Sequence, residues 1–480
     1  MSHYQILGIL LAYFGLLILI SWLSSKNSDA NSFYTGNKKS PWFLVAFGMI
    51  GASLSGVTFL SVPGWVANTH FGYMQTVFGY MVGYLIIAQV LIPLYYRQKL
   101  TSIYTYLQTR FGLVSYKTGA AYFLLSRIIG ASFRLFLVAG VLHTVVFEPF
   151  NIPYWGAVGI TILLIFANTA KNGIKTVVYT EALQTFFLVA AVILTIVFII
   201  EKLDWSVAET VSNLITDPNA QIFHFEGNGA NVFWKQFLGG AFIALAMTGL
   251  DQDMMQKNLS IKNIKGAQKN IYIQMVMFIM VNIIFLSLGA LLYQYVARQE
   301  ISGIQKSDQL FTMIAMQHST PLVGVFFIIG LVAAAYSSAD SALTALTTSF
   351  CVDFLGFERT KPTNIVTRRF VHIGFAVILF FTILIFNNLN NGAVIKELFR
   401  AAGFTYGPLL GLFSFGILTK KRVQDKGVLA ITLLSIGLTA LYFYGMPNII
   451  NGYEPGFELI IINGSVTFVL LWINSLFTPQ

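Results

Sequence analysis

The sequence predicts an all-α integral membrane protein, on three observations: its composition, the spacing of its apolar segments and the distribution of its positive charge. Of 480 residues, 56% are hydrophobic and 10% charged, and the mean hydropathy is +0.72. That is the balance of a chain solvated by lipid. A formal net charge of +10 would point to nucleic acid in a water-soluble chain, but here it belongs to loops that face anionic lipid. The single cysteine, Cys351, allows no intrachain disulfide and says nothing about redox compartment. No GxxxxGK[ST] loop and no Cys/His cluster with zinc spacing occurs in the sequence, which argues against a pump driven by ATP hydrolysis within this chain.

A hydrocarbon core about 30 Å thick needs about 20 apolar helical residues. Thirteen segments meet that measure, at 4–25, 41–66, 72–96, 117–147, 152–170, 174–201, 233–256, 270–297, 320–352, 367–388, 398–419, 426–446 and 456–477. Met1 to Gln5 carries no Lys or Arg, so the first segment lacks the basic region of a signal peptide and is read as a retained helix. Alternate loops carry 21 of the 29 basic residues: Lys26, Lys38, Lys39; Arg97, Lys99, Arg110, Lys117; Lys171, Lys175; Lys257, Lys262, Lys265, Lys269; Arg359, Lys361, Arg368, Arg369; and Lys420, Lys421, Arg422, Lys426. Positive charge collects on the cytoplasmic side, so the N-terminus is expected outside and the C-terminus inside. The longest loop, 202–232, is polar, mildly amphipathic and outer. The whole chain, 1–480, is expected to form one membrane domain.

Within the second segment, Gly51-Ala52-Ser53-Leu54-Ser55-Gly56 interrupts an apolar run with two glycines and two hydroxyls. A helix would unwind there, or pack closely through its small residues. Broken backbone is tolerated at membrane depth only where protein or a water-lined cavity satisfies it. The seventh segment has comparable weak points at Gly239-Gly240 and Thr248-Gly249, five segments later. Because five is odd, a repeated five-helix unit enters the second time from the opposite face, giving an inverted repeat. The units would span 41–201 and 233–419, with a leading helix and loop at 1–40 and two trailing helices at 420–480.

Charged and hydroxylated residues inside these segments are the functional candidates. In the ninth, Ala334, Ser337, Ser338 and Ser341 fall at i, i+3, i+4 and i+7 on one helix face, bordered by Asp340. Serines alone serve as packing glue, but a carboxylate in mid-membrane is expensive and marks a functional site. Glu181 in the sixth segment and Arg127 and Arg134 in the fourth are equally costly. The arginines are seven apart and share a face, and they either pair with protein carboxylates or meet a solute.

On these residues the sequence resembles the sodium:solute symporter family over nearly its whole length. Asn172 to Gln184, NGIKTVVYTEALQ, is similar to that family's GGxxxVxWTDxxQ; Asp251 to Lys257, DQDMMQK, resembles its QxxxQR stretch; and Gly403 to Gly416 looks like its Gly-Pro-rich tenth core helix. The resemblance implies a leucine-transporter-like fold, alternating access and a sodium ion held by the carbonyls of Gly51, Leu54 and Ala334 with the hydroxyls of Ser337 and Ser338. Two positions depart from the family: its usual Asp is Glu181 here, and a position hydroxylated in sialic acid carriers is Asp340. Glu181, Asp340 and Ser341 would form a second ion site, or Asp340 would take a proton.

For the solute, the resemblance implies Ser53, Ser55 and Thr58 as hydroxylated contacts and Gln75 as a sugar-type contact, with Thr248 at the second break as a further candidate. The Asn and Lys of sugar carriers are Ala244 and Phe278 here, and Arg127 or Arg134 falls near an arginine that sialic acid carriers use for a carboxylate. The expected function is therefore sodium-coupled symport, across the cytoplasmic membrane, of a sugar acid or other organic anion, ahead of a sugar or polyol and then an amino acid or vitamin. Sodium is the coupling ion, no organic cofactor or nucleic acid is expected, and no nucleophile or metal constellation suggests an enzyme. Proton coupling through Asp340 is the rival within the class. A membrane sensor would lack the ion-site serines, which are present, and a channel would show a filter-like repeat, which is not.

Overall fold

The computed structural model describes residues 3–25, 40–169, 173–304, 306–357, 362–389 and 394–478. Lys26, Lys38, Lys39, Lys171, Asn172, Arg359 and Lys361 lie outside the described residues. Regular structure within them is helical. In chain order the α-helices are α1 His3–Ser25, α2 Trp42–Ser53, α3 Gly56–Thr69, α4 Tyr73–Ile86, α5 Ile92–Arg97, α6 Thr105–Arg110, α7 Leu113–Leu142, α8 Tyr154–Thr169, α9 Gly173–Leu203, α10 Val207–Thr216, α11 Phe233–Ala244, α12 Gln252–Leu259, α13 Ile264–Arg298, α14 Leu310–Gln317, α15 Pro321–Ser349, α16 Ile365–Leu389, α17 Val394–Leu418, α18 Val428–Ile449 and α19 Leu459–Leu476.

By length and composition, ten helical stretches among the described residues can cross a membrane, and two shorter apolar helices, Trp42–Ser53 and Tyr154–Ala167, accompany them. Every apolar segment expected from the sequence contains helix. α15 is the most enclosed, with nearly all of its residues from Val323 to Ser349 buried. It packs along α9 and touches α2, α3, α7, α16 and α1. Outer helices such as α18 present leucines outward, Leu433, Leu434 and Leu441 among them, as expected where lipid is the solvent. The long loop at 202–232 is tied down rather than loose: Ser206 and Glu209 cap α10 reciprocally, with Ser206 N donating to Glu209 Oε2 at 2.7 Å.

The two expected weak points of the seventh segment separate in the structure. Gly239-Gly240 sits inside a continuous α11, where a Cβ on Gly240 would come within 3.0 Å of Thr76 backbone on α4, and one on Gly79 of α4 within 2.9 Å of Ala241 N. These glycines are packing surfaces that let two backbones touch. The unwinding falls ten residues on. A π-turn at Leu245–Gly249 leads to Leu250 and Asp251 in non-helical conformations before α12 begins.

Filling that contact has a cost, because overpacking an inflexible interface typically costs about 1–3 kcal/mol. Gly240→Leu should lower the melting temperature of the purified protein clearly, whereas Gly437→Leu, where a Cβ meets nothing within 4 Å, should leave it unchanged.

Candidate ion and solute site

The chain between α2 and α3 breaks where its sequence is richest in glycine and serine. Leu54 (φ −81°, ψ 33°) ends α2 with its N–H on Ile50 O at 2.7 Å, and Ser55 (φ −40°, ψ 174°) starts α3 without a side-chain cap. A helix end leaves carbonyls without intrahelical partners, here in a buried place: Gly51, Leu54 and Ser55 are all enclosed. Gly51 is needed for the approach of α9, since a Cβ there would lie 3.1 Å from Thr185 Cβ. The break is therefore pressed between α9 and α15, both of which α2 contacts.

On α15, which packs against α2, Ser337 and Ser338 are each 1% exposed. Neither Oγ has a hydrogen-bond partner among the described residues. Several buried helical hydroxyls satisfy themselves on the preceding turn, Thr347 on Leu343 O at 2.7 Å, Thr195 on Ala191 O at 2.8 Å and Thr161 on Ala157 O at 2.9 Å, whereas Ser337 and Ser338, like Ser132 and Thr344, do not. A buried polar atom left without a partner is costly unless something else supplies one. Two such hydroxyls on a helix that packs against α2, with Ala334 one turn earlier, are hard oxygen donors of the kind that suits a small cation.

A second feature of the same break is a cavity of ≈ 70 Å³ measured for the centre of a water molecule, lined among others by Ser53, Ser55, Thr58, Thr248 and Arg134. Water needs roughly 10–15 Å³ by that measure, so the space suits a small solute. Tyr73, Tyr80 and Tyr84 of α4 form one wall, with Tyr73 and Tyr80 hydroxyls 3.3 Å apart. Ala244 and Phe278 also line it, which puts apolar surface where sugar carriers have Asn and Lys.

The two arginines part company. Arg134 lines the cavity, is 7% exposed, and its Nε and Nη1 have no hydrogen-bond partner among the described residues. Arg127, one heptad earlier, is an ion-pair residue: it donates to Asp253 and lies 3.9 Å from Asp251. Asp253 also accepts from Ser341, while Lys257 Nζ sits 2.6 Å from Glu181 Oε1 and 3.6 Å from Asp253 Oδ1. Asp251 caps α12 through Asp253 N and Met254 N, and accepts from Tyr406 OH at 2.5 Å.

Several candidates are thus placed together and others apart. Ser53, Ser55, Thr58, Thr248 and Arg134 share the cavity; Gly51, Leu54, Ala334, Ser337 and Ser338 lie on the α2 break and on α15. Gln75 is elsewhere: its amide donates to Gly72 O and Asn231 O and accepts from His224 N at 3.2, 3.1 and 3.0 Å, strapping the 202–232 loop to α4. Glu181 and Ser341 are engaged with Lys257 and Asp253, and Asp340 lies beside Tyr13 of α1 and Tyr336. Sequence reasoning missed the three tyrosines, although their spacing of seven and four places them on one face of α4. It also gave no role to Asp251, Asp253 or Lys257.

Comparison with known proteins agrees with this architecture. A family model described as "Sodium:solute symporter family" matches residues 33–435. The chain is 26% identical to the sodium-dependent multivitamin transporter of Oryctolagus cuniculus over 439 residues, 88% of this chain and 66% of that protein. It is 23% identical to the sodium-coupled monocarboxylate transporter 2 of Homo sapiens (88% and 69%) and 22% identical to the sodium/sialic acid symporter SiaT of Proteus mirabilis (96% and 94%). The chain thus spans about two thirds of the length of the animal relatives. Among solved structures, a Na+-coupled sialic acid symporter in a substrate-bound outward-open state superposes with a TM-score of 0.84 at 19% identity, covering 99% and 98% of the two chains. The nucleobase-cation-symport-1 family transporter Mhp1 superposes at 0.57 and 15%, covering 91% and 92%. These likenesses establish the shared helical fold.

The arginines should separate in a stability measurement. Removing one partner of a buried ion pair costs about 3–5 kcal/mol, so Arg127→Gln should lower the melting temperature sharply. Arg134→Gln removes a buried charge that forms no ion pair among the described residues and should leave the melting temperature unchanged or higher.

Proposed function

The chain belongs to the sodium:solute symporter family, and from that premise we propose that it is a secondary active symporter coupling sodium entry to uptake of a small organic anion by alternating access. The observation that carries the anion is Arg134, a buried guanidinium with partnerless N–H groups on a small hydroxyl-lined cavity. A carboxylate would complete it in the bidentate manner that guanidinium groups favour. The apolar surface of Ala244 and Phe278 favours an acid over a sugar, and the monocarboxylate and sialic acid carriers among its relatives are named for solutes bearing an acid group. A sugar acid or a smaller organic acid fits this reading.

The sodium ion in this reading binds the carbonyls of Gly51, Leu54 and Ala334 and the hydroxyls of Ser337 and Ser338, whose lack of protein partners supports the assignment. The chain forms a single membrane domain crossing the cytoplasmic membrane thirteen times, N-terminus outside and C-terminus inside. Residues 41–201 and 233–419 form inverted five-helix units, with 1–40 before and 420–480 after. Ligands from α2 and α15 then come from different units. When the units move apart the cage opens, and the ion favours one arrangement over the other by its differential affinity.

Three measurements test this. In a thermal-shift screen of purified protein over monocarboxylates, sugar acids, sugars, amino acids and vitamins, a carboxylate should stabilise it only when sodium is present. Arg134→Gln should weaken that ligand by about 2–5 kcal/mol, the loss expected of a buried, hydrogen-bonded charge pair. In proteoliposomes, Ser337→Ala with Ser338→Ala should abolish sodium-dependent uptake while the protein stays folded. Unaltered sodium dependence in that variant would sink the site, and uptake driven equally by protons without sodium would move coupling to Asp340.

A further inference from the structure

Two groups of oxygens in the membrane interior suit a cation, and the protein treats them differently. The hydroxyls of Ser337 and Ser338 have no partner among the described residues. Around Glu181 the protein supplies its own cation. Lys257 is completely buried, with Nζ 2.6 Å from Glu181 Oε1 and 3.6 Å from Asp253 Oδ1. Its place is fixed by register, since Asp253 lies one helical turn earlier on the same short helix, whose first turn is capped by Asp251. Arg127 holds the other oxygen of Asp253, and Ser341, the hydroxyl expected to join Glu181 in an ion site, donates to Asp253 instead. The other oxygen of Glu181, Oε2, is buried against Gly48 of α2 and has no hydrogen-bond partner among the described residues, so the Lys257 ammonium meets the carboxylate through Oε1 alone.

We infer that the Lys257 ammonium is a tethered cation standing where a second coupling ion would sit at Glu181, so that one sodium, at Ser337 and Ser338, binds per chain. An ammonium offers Glu181 the unit charge of a sodium ion and donates hydrogen bonds to the same oxygens. Once it is there, like-charge repulsion in a poorly screened interior disfavours a second cation beside it. Because Lys257 is covalently attached, it neutralises Glu181 in every conformation and draws nothing from the sodium gradient. One sodium moving with one monoanionic solute carries no net charge, so transport of such a solute is electroneutral and accumulation scales with the first power of the sodium gradient.

This inference rests on the sodium-symport reading, and the experiment separates the two. Equilibrium binding of radioactive sodium to the purified full-length protein, without solute, should give one saturable site per chain, lost in Ser337→Ala with Ser338→Ala. Lys257→Met should double the count by opening Glu181 to a second ion, and Lys257→Arg should keep it at one. Two sodium ions per wild-type chain, with one surviving in the double serine variant, overturns the role of Lys257 while leaving sodium symport intact. A Lys257→Met protein that folds and still binds one sodium overturns it as well. No saturable binding in the wild type overturns the sodium-symport reading and the inference with it. Should Lys257→Met fail to fold, the wild-type and double-serine counts decide the matter.

Discussion

Asp253 is the point on which the buried charges of this protein converge. It receives Arg127 from α7, Ser341 from α15 and Lys257 from its own helix, and through Lys257 it is joined to Glu181 on α9. Four helices are therefore tied at one carboxylate in an interior where an isolated charge would be untenable. Such a cluster earns little stability over a well-packed apolar core, but it fixes which side chains face one another. It also explains why two arginines on one face of α7 differ: the cluster consumes Arg127, and Arg134, two turns further along, is left to the cavity.

The same cluster anchors a discontinuity. The chain unwinds at Leu250 and Asp251, and at membrane depth unwound backbone must find partners within the protein. Tyr95 OH donates to Gly249 O and Tyr104 OH to Leu250 O, each at 2.9 Å, while Tyr406 OH and the two amides of the next turn meet the Asp251 carboxylate. The break between α2 and α3 is supported differently. Thr185 donates to Phe47 O at 3.1 Å, yet the hydroxyls of Ser337 and Ser338 on α15, which packs against α2, have no partner among the described residues. One break is sealed by protein and the other leaves oxygen donors over, an asymmetry that suits one break to structure and the other to binding an ion.

Much of this was legible in the sequence, and the misses have physical reasons. Helix positions followed from apolar runs of membrane length, and the α2–α3 break followed from Gly51 to Gly56, because glycine and serine weaken a helix wherever they cluster. Gly239-Gly240 carried the same local signal but serves close packing against α4, since the deciding fact is what lies opposite. Gln75 looked like a solute contact by position, whereas its amide is spent on Asn231 and His224, some 150 residues away in sequence. The Asp253 cluster escaped because its members come from segments four, six, seven and nine, and no sequence spacing connects residues on different helices. Its one local trace was the pair Asp253 and Lys257 at i and i+4, which on its own reads as an ordinary helix-surface salt bridge.

The α2 break ends one helix and starts another within a few residues, and in the proposed reading this compression would bring ion and solute chemistry together. Gly51 and Leu54 belong to its carbonyl end, turned to the packed surface of α9 and α15, while Ser53 and Ser55 line the cavity with Arg134. An ion bound to the carbonyls would fix the backbone angles of the same turn whose hydroxyls meet the solute, and a solute bound there would hold the carbonyls in place for the ion. Each would then lower the ordering cost of the other, which is positive coupling between two ligands and is reciprocal by thermodynamic necessity. No long pathway between distant sites is required, because one short, glycine-weakened stretch of chain belongs to both.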